Sequence, residues 1–292
     1  MFPRTRATSA HRPTPTRRGR TASEAERPGA PRRPAFGEED RRLSYGSYLK
    51  VPELLSQQQL LSDPPAHDEL LFIIVHQVFE LWFKQLIFEL VSVREAMERG
   101  DIHGARHLLK RVNAIERVLI EQVEVLETMS PQDFLEFRTH LAPASGFQSA
   151  QFREIEFLSG LKDPRYLDRL ALDDDSRARL EARLAQPTLW DAFCALLESR
   201  GVAMPADDPE ARRAGLLRIA RERDRFADEF YLSEALLDHD ELFALWRDRH
   251  VLMVERQIGS KTGTGGSTGA SYLRTTLEKR FYPELWELRS YL

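Results

Sequence analysis

The stretch HDELLFIIVHQVFELWFKQLIFEL, residues 67–90, is the most apolar run in the chain and is apolar on nearly every side. A helix that is apolar all round belongs in a protein core rather than on a surface. Its polar members, among them His76, Glu80 and Lys84, are too many for a membrane span, which needs about 20 mainly apolar residues. The stretch therefore predicts a buried core helix that ends near Glu98.

Two polar residues in the middle of this helix, His76 and Glu80, are costly to bury. A histidine in an apolar helix is more often a hydrogen-bonded core residue than a ligand, so His76 is open to both interpretations. Glu80 stands four residues before Lys84, which is the favoured order for a helical ion pair and favours a structural role.

Helical patterns fill the rest of the chain, and alternating β-branched runs are missing. Long helices are predicted at about 101–129, 211–239 and 240–257, and shorter ones at 52–59, 130–143, 147–161, 271–280 and 283–292, with three or four more between 163 and 209. Ser130, Pro131 and Asp133 supply an N-cap, an N1 proline and an N3 acid. These patterns predict an all-α fold, a bundle of long helices with small helices inserted between them.

Composition divides the chain into a tail and a body. Residues 1–40 are rich in Arg and Pro and lack apolar periodicity, so we expect a disordered tail. They hold nine of the 42 basic and five of the 46 acidic residues, which leaves a net charge of −8 for a single predicted domain at 41–292. An acidic body argues against nucleic-acid binding.

The amino terminus and the cysteine content bear on localisation. No apolar h-region follows Met1, so a secretory signal is not expected. A single cysteine, Cys194, excludes an internal disulfide, a thiolate zinc cluster and a covalent haem attachment motif. It is compatible with a reducing compartment, and we expect a cytoplasmic protein with no membrane partner.

A second inward-facing histidine lies in ELFALWRDRHVLMVERQIG, residues 241–259. His250 shares one helical stripe with Phe243, Trp246 and Met253, so its imidazole is also predicted to point into the core. Two such histidines are compatible with a cofactor pocket, in which one ligates a metal axially and the other faces the open side.

Other metal and phosphate sites fit the sequence less well. A carboxylate-bridged di-iron bundle needs Glu-x-x-His on two helices, and none of the eight histidines has a Glu three residues before it. The zincin motif His-Glu-x-x-His is absent. The glycine-rich stretch GSKTGTGGSTG, residues 259–269, follows a helix rather than a strand and lacks Gly-Lys-Ser/Thr. It is predicted to be a loop that acts as a lid or clamps a ligand, with Thr264 offering a hydroxyl.

Arg138 follows Phe134 by four residues on a short, partly apolar helix. Its guanidinium could cap a helix or meet a surface acid. If Arg138 is buried, the planar fork suits a carboxylate, which it can bind through two hydrogen bonds.

Several long blocks, in order and at matching separations, resemble the tryptophan 2,3-dioxygenase family over about residues 42–292. They are YGSYL at 45–49, HDELLFIIVHQVFELWFKQ at 67–85, SGFQSAQFREIEFLSG at 145–160, WRDRHVLMVERQIG at 246–259 and KTGTGGSTGASYLR at 261–274. The resemblance implies an all-α fold with a haem pocket in its core, one non-covalent haem b per subunit and a homotetramer. It also implies L-tryptophan and O₂ as substrates and N-formylkynurenine as product. Composition and periodicity by themselves do not specify haem or tryptophan.

The resemblance also implies roles for individual residues. His250 matches the proximal haem ligand. His76 matches the distal histidine, a catalytic residue that we expect to steer the indole N–H. Arg138 matches the residue that clamps the substrate carboxylate, and Thr264 matches one that binds the amino-acid end.

Further matches complete the implied substrate pocket. The indole slot involves the consecutive residues Phe72, Ile73, Ile74, Val75 and His76, together with Phe134, where family members carry Phe or Tyr. Ser145 and Gly146 match the pocket wall, and Tyr45 matches a residue supplied by a neighbouring subunit.

The sequence is also compatible with two other functions. One is a haem monooxygenase of the same fold, acting on a substituted tryptophan or indole in secondary metabolism. The other is a non-catalytic helical interaction module, which would bind no haem.

Overall fold

The computed structural model describes residues 43–266 and 268–292, which fall into two compact units divided between Leu55 and Ser56. The predicted tail and its boundary at residue 40 lie outside the described residues. The domain division drawn from the sequence therefore stays a prediction.

The first unit contains two short helices, α1 (Tyr45–Leu49) and α2 (Val51–Leu54). Ser44 and Ser47 form a capping box at the start of α1. Lys50 joins the helices in the left-handed region, at φ 54°. The predicted helix at 52–59 is therefore shorter than expected.

The second unit contains the remaining helices, and the part of the chain that the structure describes has no strand. They are α3 (Glu69–Glu98), α4 (Ile102–Glu127), α5 (Pro131–Leu141), α6 (Ala150–Ser159), α7 (Tyr166–Arg169), α8 (Asp174–Ala185), α9 (Leu189–Ser199), α10 (Pro209–Arg221), α11 (Arg223–Ile258), α12 (Ala270–Arg274) and α13 (Pro283–Leu288). Two 3₁₀ helices span Gly146–Gln148 and Arg289–Tyr291. The all-α prediction is confirmed.

The helix α3 packs against α4, α6 and α9. By length and composition it could cross a membrane. One side of it faces the core, where Leu86 and Leu90 are fully buried and the buried Glu89 accepts a hydrogen bond from Arg111 of α4 at 2.8 Å. Leu81 and Phe88 on the other side are exposed, so the predicted burial of the helix on every side is wrong. A buried carboxylate with a cationic partner is the arrangement expected inside a folded protein.

Local signals define the start of α5 as predicted. Ser130 Oγ accepts a hydrogen bond from the Asp133 backbone N–H at 3.2 Å, and the Asp133 carboxylate accepts from the Ser130 N–H at 3.0 Å. Pro131 occupies the first turn, where no backbone donor is needed. The two side chains thus satisfy N–H groups that the helix itself leaves free.

The predicted boundary between two helices at His239 and Asp240 is wrong. The helix α11 continues through both residues, and the break instead comes at Glu222, with a kink at Phe226 (φ −120°, ψ 31°). His239 and Asp240 have no exposed surface. In the sequence these two polar residues look like the end of a helix. The groups that pair with them inside the fold are distant along the chain.

His239 and Asp240 tie α11 to three other parts of the fold. The His239 ring nitrogens lie 2.7 Å from the Glu116 carboxylate of α4 and 2.9 Å from Ser159 Oγ of α6. The Asp240 carboxylate accepts hydrogen bonds from the Phe281 and Tyr282 N–H groups and from the Trp286 indole, at 2.9, 3.0 and 2.9 Å. Residues 281–286 are thereby held against the middle of α11.

The predicted helix at 271–280 ends early, at Arg274.

Candidate functional site

One cavity of about 280 Å³ lies within the second unit, between α3, α4, α5, α6 and α11. The glycine-rich loop at 259–269 and α12 complete its wall. Eight of the twelve sequence-predicted site residues line it: Phe72, His76, Phe134, Arg138, Ser145, Gly146, His250 and Thr264. The structure thus brings together residues that lie almost two hundred positions apart in the sequence.

Four predicted residues are not part of this lining. Successive residues of a helix point in directions about 100° apart, so five consecutive residues cannot all face one cavity. Ile73 is half-buried, Ile74 is exposed, and Val75 is buried away from the cavity, its carbonyl bound by Gln122 at 2.9 Å. Their assignment as a continuous substrate contact is not supported by this geometry. Tyr45 belongs to the first unit, where its side chain is exposed.

The His76 ring has a defined hydrogen-bonding state. Its Nδ1 lies 2.7 Å from the Phe72 carbonyl oxygen. A carbonyl oxygen only accepts, so Nδ1 carries the proton and Nε2 is left as an acceptor. Burial lowers the pKa of His76, against the opposing effects of that carbonyl and of Glu80. The ring is therefore neutral near pH 7.

The His250 ring stacks on Trp246, with ring centroids 5.1 Å apart and planes 7° from parallel. Burial, and secondarily repulsion from His76, lowers the pKa of His250 to about 4. No group within 43–266 and 268–292 forms a hydrogen bond with its ring nitrogens. A neutral imidazole without a partner can donate a lone pair to a metal.

A metal held only by protein side chains does not fit the described part of the chain. It contains no group of three or more His, Cys, Asp or Glu side chains placed to hold an ion. His250 instead suits a metal that arrives with its other ligands already in place, as in a porphyrin.

Arg138 and two phenylalanines form one end of the cavity. The rings of Phe72 and Phe134 stack with centroids 5.7 Å apart, and Phe72 also contacts His76 at 4.1 Å. One Arg138 nitrogen donates to the Thr262 carbonyl, whereas its buried Nε has no hydrogen-bond partner among the described residues. An aromatic wall and a guanidinium with an unused donor therefore line the same part of the chain's cavity.

The glycine-rich loop lies directly on the segment that follows α5. Thr264 Oγ1 donates to the Ala144 carbonyl at 2.6 Å. A Cβ atom on Gly265 would come within 2.6 Å of the Ser145 Cβ, so a larger residue would push the loop away. The close approach explains a glycine at position 265, and the Thr264 bond places its hydroxyl at the cavity.

Glu80 also lines the cavity, and the predicted ion pair with Lys84 is wrong. Its carboxylate accepts a hydrogen bond from Gln151 Nε2 at 2.7 Å, and the same amide reaches the Glu80 carbonyl at 2.9 Å. Spacing along one helix did not reveal Gln151, which is on α6.

Sequence reasoning also missed a charged cluster in the wall, made of Arg153, Glu156 and Arg247. The Glu156 carboxylate accepts from Arg153 at 2.5 Å and from Arg247 at 3.0 Å. Two spacings could have indicated it, because Glu156 follows Arg153 by three residues and Arg247 precedes His250 by three. Each pair therefore shares a helix face.

Comparison with known proteins is consistent with this geometry. The chain matches the family described as tryptophan 2,3-dioxygenase over residues 34–201 and 209–292. A tryptophan 2,3-dioxygenase of Nocardioides sp. is 60% identical over 263 residues, which are 88% of this chain and 98% of that protein.

Two more distant relatives carry the same name. The protein of Anaeromyxobacter sp. is 46% identical over 258 residues, covering 86% of this chain and 96% of the relative. The protein of Herpetosiphon aurantiacus is 44% identical over 259 residues, covering 85% of this chain and 98% of the relative. The similarity therefore extends over nearly the full length of each relative.

Proposed function

Because the chain belongs to the tryptophan 2,3-dioxygenase family, we propose that the cavity lined by His76, Arg138 and His250 is its active site. The chain is an oxidoreductase that opens the indole ring of L-tryptophan with O₂. The C2–C3 bond of the indole is broken, and each carbon receives one oxygen atom. The product is N-formylkynurenine, and no outside reductant is consumed.

We propose haem b as the cofactor, one per chain and bound without a covalent link. His250 would hold the iron, since its neutral, unpartnered imidazole lines a cavity with mainly aromatic and aliphatic walls. When bound, the haem supplies the binding and activation of O₂. The protein contributes positioning and electrostatics.

The indole ring would lie against the aromatic wall that Phe72 and Phe134 form in the cavity. His76 can accept a hydrogen bond from the indole N–H through Nε2, because its Nδ1 proton is already directed to the Phe72 carbonyl. A single acceptor at this point orients the ring without removing its proton. We therefore assign His76 a steering role.

The amino-acid end of the substrate fits the polar end of the cavity. The partnerless Nε of Arg138 is the observation that carries this assignment, because a substrate carboxylate would supply the missing acceptor. Thr264 donates its hydroxyl proton to Ala144, which leaves the oxygen free to accept from an ammonium group. Binding energy from this remote end can then be used to orient the indole. Phe134 has no hydroxyl, so it adds no polar contact to the carboxylate.

We also propose a homotetramer, with Tyr45 of a neighbouring copy contributing to each site. Exposed apolar residues recur every seventh position on three helices: Ile74, Leu81 and Phe88 on α3, Val118 and Val125 on α4, and Leu245 and Leu252 on α11. Such spacing gives narrow apolar stripes suited to helix pairing. Copies of the same chain would cover them.

A cytoplasmic location completes the proposal. Burial raises the pKa of the lone Cys194 thiol to about 12. The thiol is therefore protonated and unreactive, and the fold does not depend on an oxidising compartment.

The reaction is tested by product analysis. With L-tryptophan and ¹⁸O₂, the haem-loaded protein is expected to give N-formylkynurenine with both oxygen atoms labelled, as measured by mass spectrometry. Incorporation of one labelled atom would identify a monooxygenase instead. A protein that binds no haem and forms no product would correspond to an interaction module.

The metal ligand is tested by a cavity variant. His250→Gly should lose the Soret band of bound haem, because the iron loses its only protein ligand. Added imidazole should restore the band by entering the vacated space, and absorption titration measures both effects. A His103→Gly variant, changed at an exposed position of α4, should keep the band. Normal haem binding by His250→Gly would show that another residue is the ligand.

The carboxylate clamp is tested through KM. Arg138→Leu should raise KM for L-tryptophan at least about 30-fold, since Arg138 is half-buried and would form with the bound substrate a charged pair whose loss costs about 2 to 5 kcal/mol when the pair is buried. The Soret band should not change. Arg99→Leu, at an exposed position after α3, serves as the control in the same steady-state assay. An unaltered KM in Arg138→Leu would remove the clamp from the proposal.

The assembly is tested by placing a charge on the α3 stripe. Phe88→Glu should shift the protein from tetramer to smaller species, because a desolvated carboxylate without a partner disfavours an apolar interface. Analytical ultracentrifugation measures the change. Glu181→Lys, at an exposed position of α8, should leave the tetramer intact. A Phe88→Glu protein that sediments like the parent would place the interface elsewhere.

A further inference from the structure

The His250 imidazole lacks the hydrogen bond that normally fixes the ring of a metal-ligating histidine. Such a histidine usually donates its second ring N–H to a carboxylate, a backbone carbonyl or water, and that bond sets the tautomer and the rotation of the ring. No acceptor among residues 43–266 and 268–292 is bonded to the His250 ring. Within the described part of the chain, another contact must therefore orient it.

Trp246 is the aromatic residue whose ring contacts His250. It stands four residues earlier on α11, and side chains with this spacing lie one above the other on a helix. The ring centroids are 5.1 Å apart and the planes are 7° from parallel. Parallel planes at this centroid distance form an offset stack, which is one of the arrangements that aromatic pairs prefer. Rotation of the imidazole about its Cβ–Cγ bond would break this contact.

Three phenylalanines hold the Trp246 ring from other directions. Phe79 of α3 lies 6.1 Å from it, Phe152 of α6 lies 5.2 Å away, and Phe243 of α11 lies 6.1 Å away, as measured between ring centroids. Phe79 and Phe243 are themselves buried. Contacts from three helices leave the indole little freedom to tilt, since side chains in a protein interior are closely packed. The packing of the helices therefore orients Trp246, and Trp246 in turn orients His250.

The indole N–H of Trp246 takes no part in this arrangement. Its buried Nε1 has no hydrogen-bond partner among the described residues, although a buried tryptophan usually finds an acceptor for this group. The ring face is therefore the part of Trp246 that acts on His250. A smaller aromatic ring at this position could act in the same way, whereas an aliphatic side chain could not.

We propose that Trp246 is a positioning residue that sets the rotation of the His250 ring, in place of the hydrogen bond that usually does so. The proposal rests on the role of His250 as the haem ligand proposed above and adds what directs its lone pair. A stacked ring restrains rotation without adding charge, so His250 remains a neutral donor. Without the stack, the imidazole should adopt several rotations, and the bond from His250 to iron should vary from molecule to molecule.

The test uses resonance Raman spectroscopy of the ferrous, haem-loaded full chain, in which the iron–histidine stretching band reports the geometry of this bond. Trp246→Leu removes the flat face and should broaden and shift the band. Trp246→Phe keeps a flat face and loses the unpartnered N–H, so its band should stay narrow and near the parent position. Haem loss from Trp246→Leu should also be about 2- to 10-fold faster, the range expected for one aromatic pair.

Trp190→Leu is the matched control. Trp190 on α9 is also half-buried and packs on two rings, those of Phe193 at 5.6 Å and Tyr282 at 5.9 Å, but it does not line the cavity. Its variant should keep the parent band. An equal change in Trp190→Leu would overturn the proposal, because a general loosening of the core would then account for the effect.

The remaining outcomes separate the positioning role from the haem function. A parent-like band in Trp246→Leu, or equal broadening in Trp246→Phe and Trp246→Leu, would overturn the positioning role and leave the haem ligand in place. A parent chain that shows no iron–histidine band would overturn the haem function itself.

A measurement on the parent chain keeps the test decisive if circular dichroism shows that Trp246→Leu does not fold. In NMR spectra of the haem-free chain, the ring protons of His250 are identified by their loss in His250→Gly. The indole face of Trp246 should shift these protons upfield. Ordinary shifts for them would show that the two rings do not stack in solution and would overturn the proposal.

Discussion

The cost of burying charge is the constraint on which the centre of this protein depends. The cavity is lined by helices and by the glycine-rich loop, so a polar group buried in its wall is expected to be neutral, paired or directed to a ligand. His76 and His250 are neutral, as their lowered pKa values indicate. The charged groups of the wall are Glu80, Arg138, Arg153, Glu156 and Arg247. The Nε atoms of Arg138 and Arg153 have no hydrogen-bond partner among the described residues. The same constraint that shapes the fold therefore also indicates the chemistry of what it binds.

The helices and their ends could largely be predicted from the sequence, because they depend on neighbours within a few residues. The capping box at Ser130 and the extent of α3 are examples. The continuity of α11 could not be predicted, since His239 and Asp240 are satisfied by residues up to 123 positions away. From the sequence alone, two polar residues in the middle of a helix cannot be distinguished from two polar residues at its end.

In the candidate site, too, some features could be predicted from the sequence and others depend on how the helices pack. Resemblance to a family indicated His76, Arg138 and His250, and the structure places all three in one cavity. The resemblance did not show that Phe72 lines the cavity while the consecutive residues Ile73, Ile74 and Val75 do not. These four residues differ only in the direction in which the helix points their side chains. The bond from Gln151 to Glu80 and the contact of Arg247 with Glu156 required the packing of α6 against its neighbours. Which side chains face each other across helices is a property of the assembled fold.

The bonds of Asp240 have a consequence for how the protein is made. Its carboxylate is fully buried, and within the described part of the chain its hydrogen-bond donors all come from residues 281–286. During translation α11 ends at Ile258, before any of these residues has been made, so Asp240 has no partner from this segment until synthesis has passed Trp286. A product truncated before residue 281 would contain every residue that lines the cavity and would still leave this buried carboxylate without those three donors.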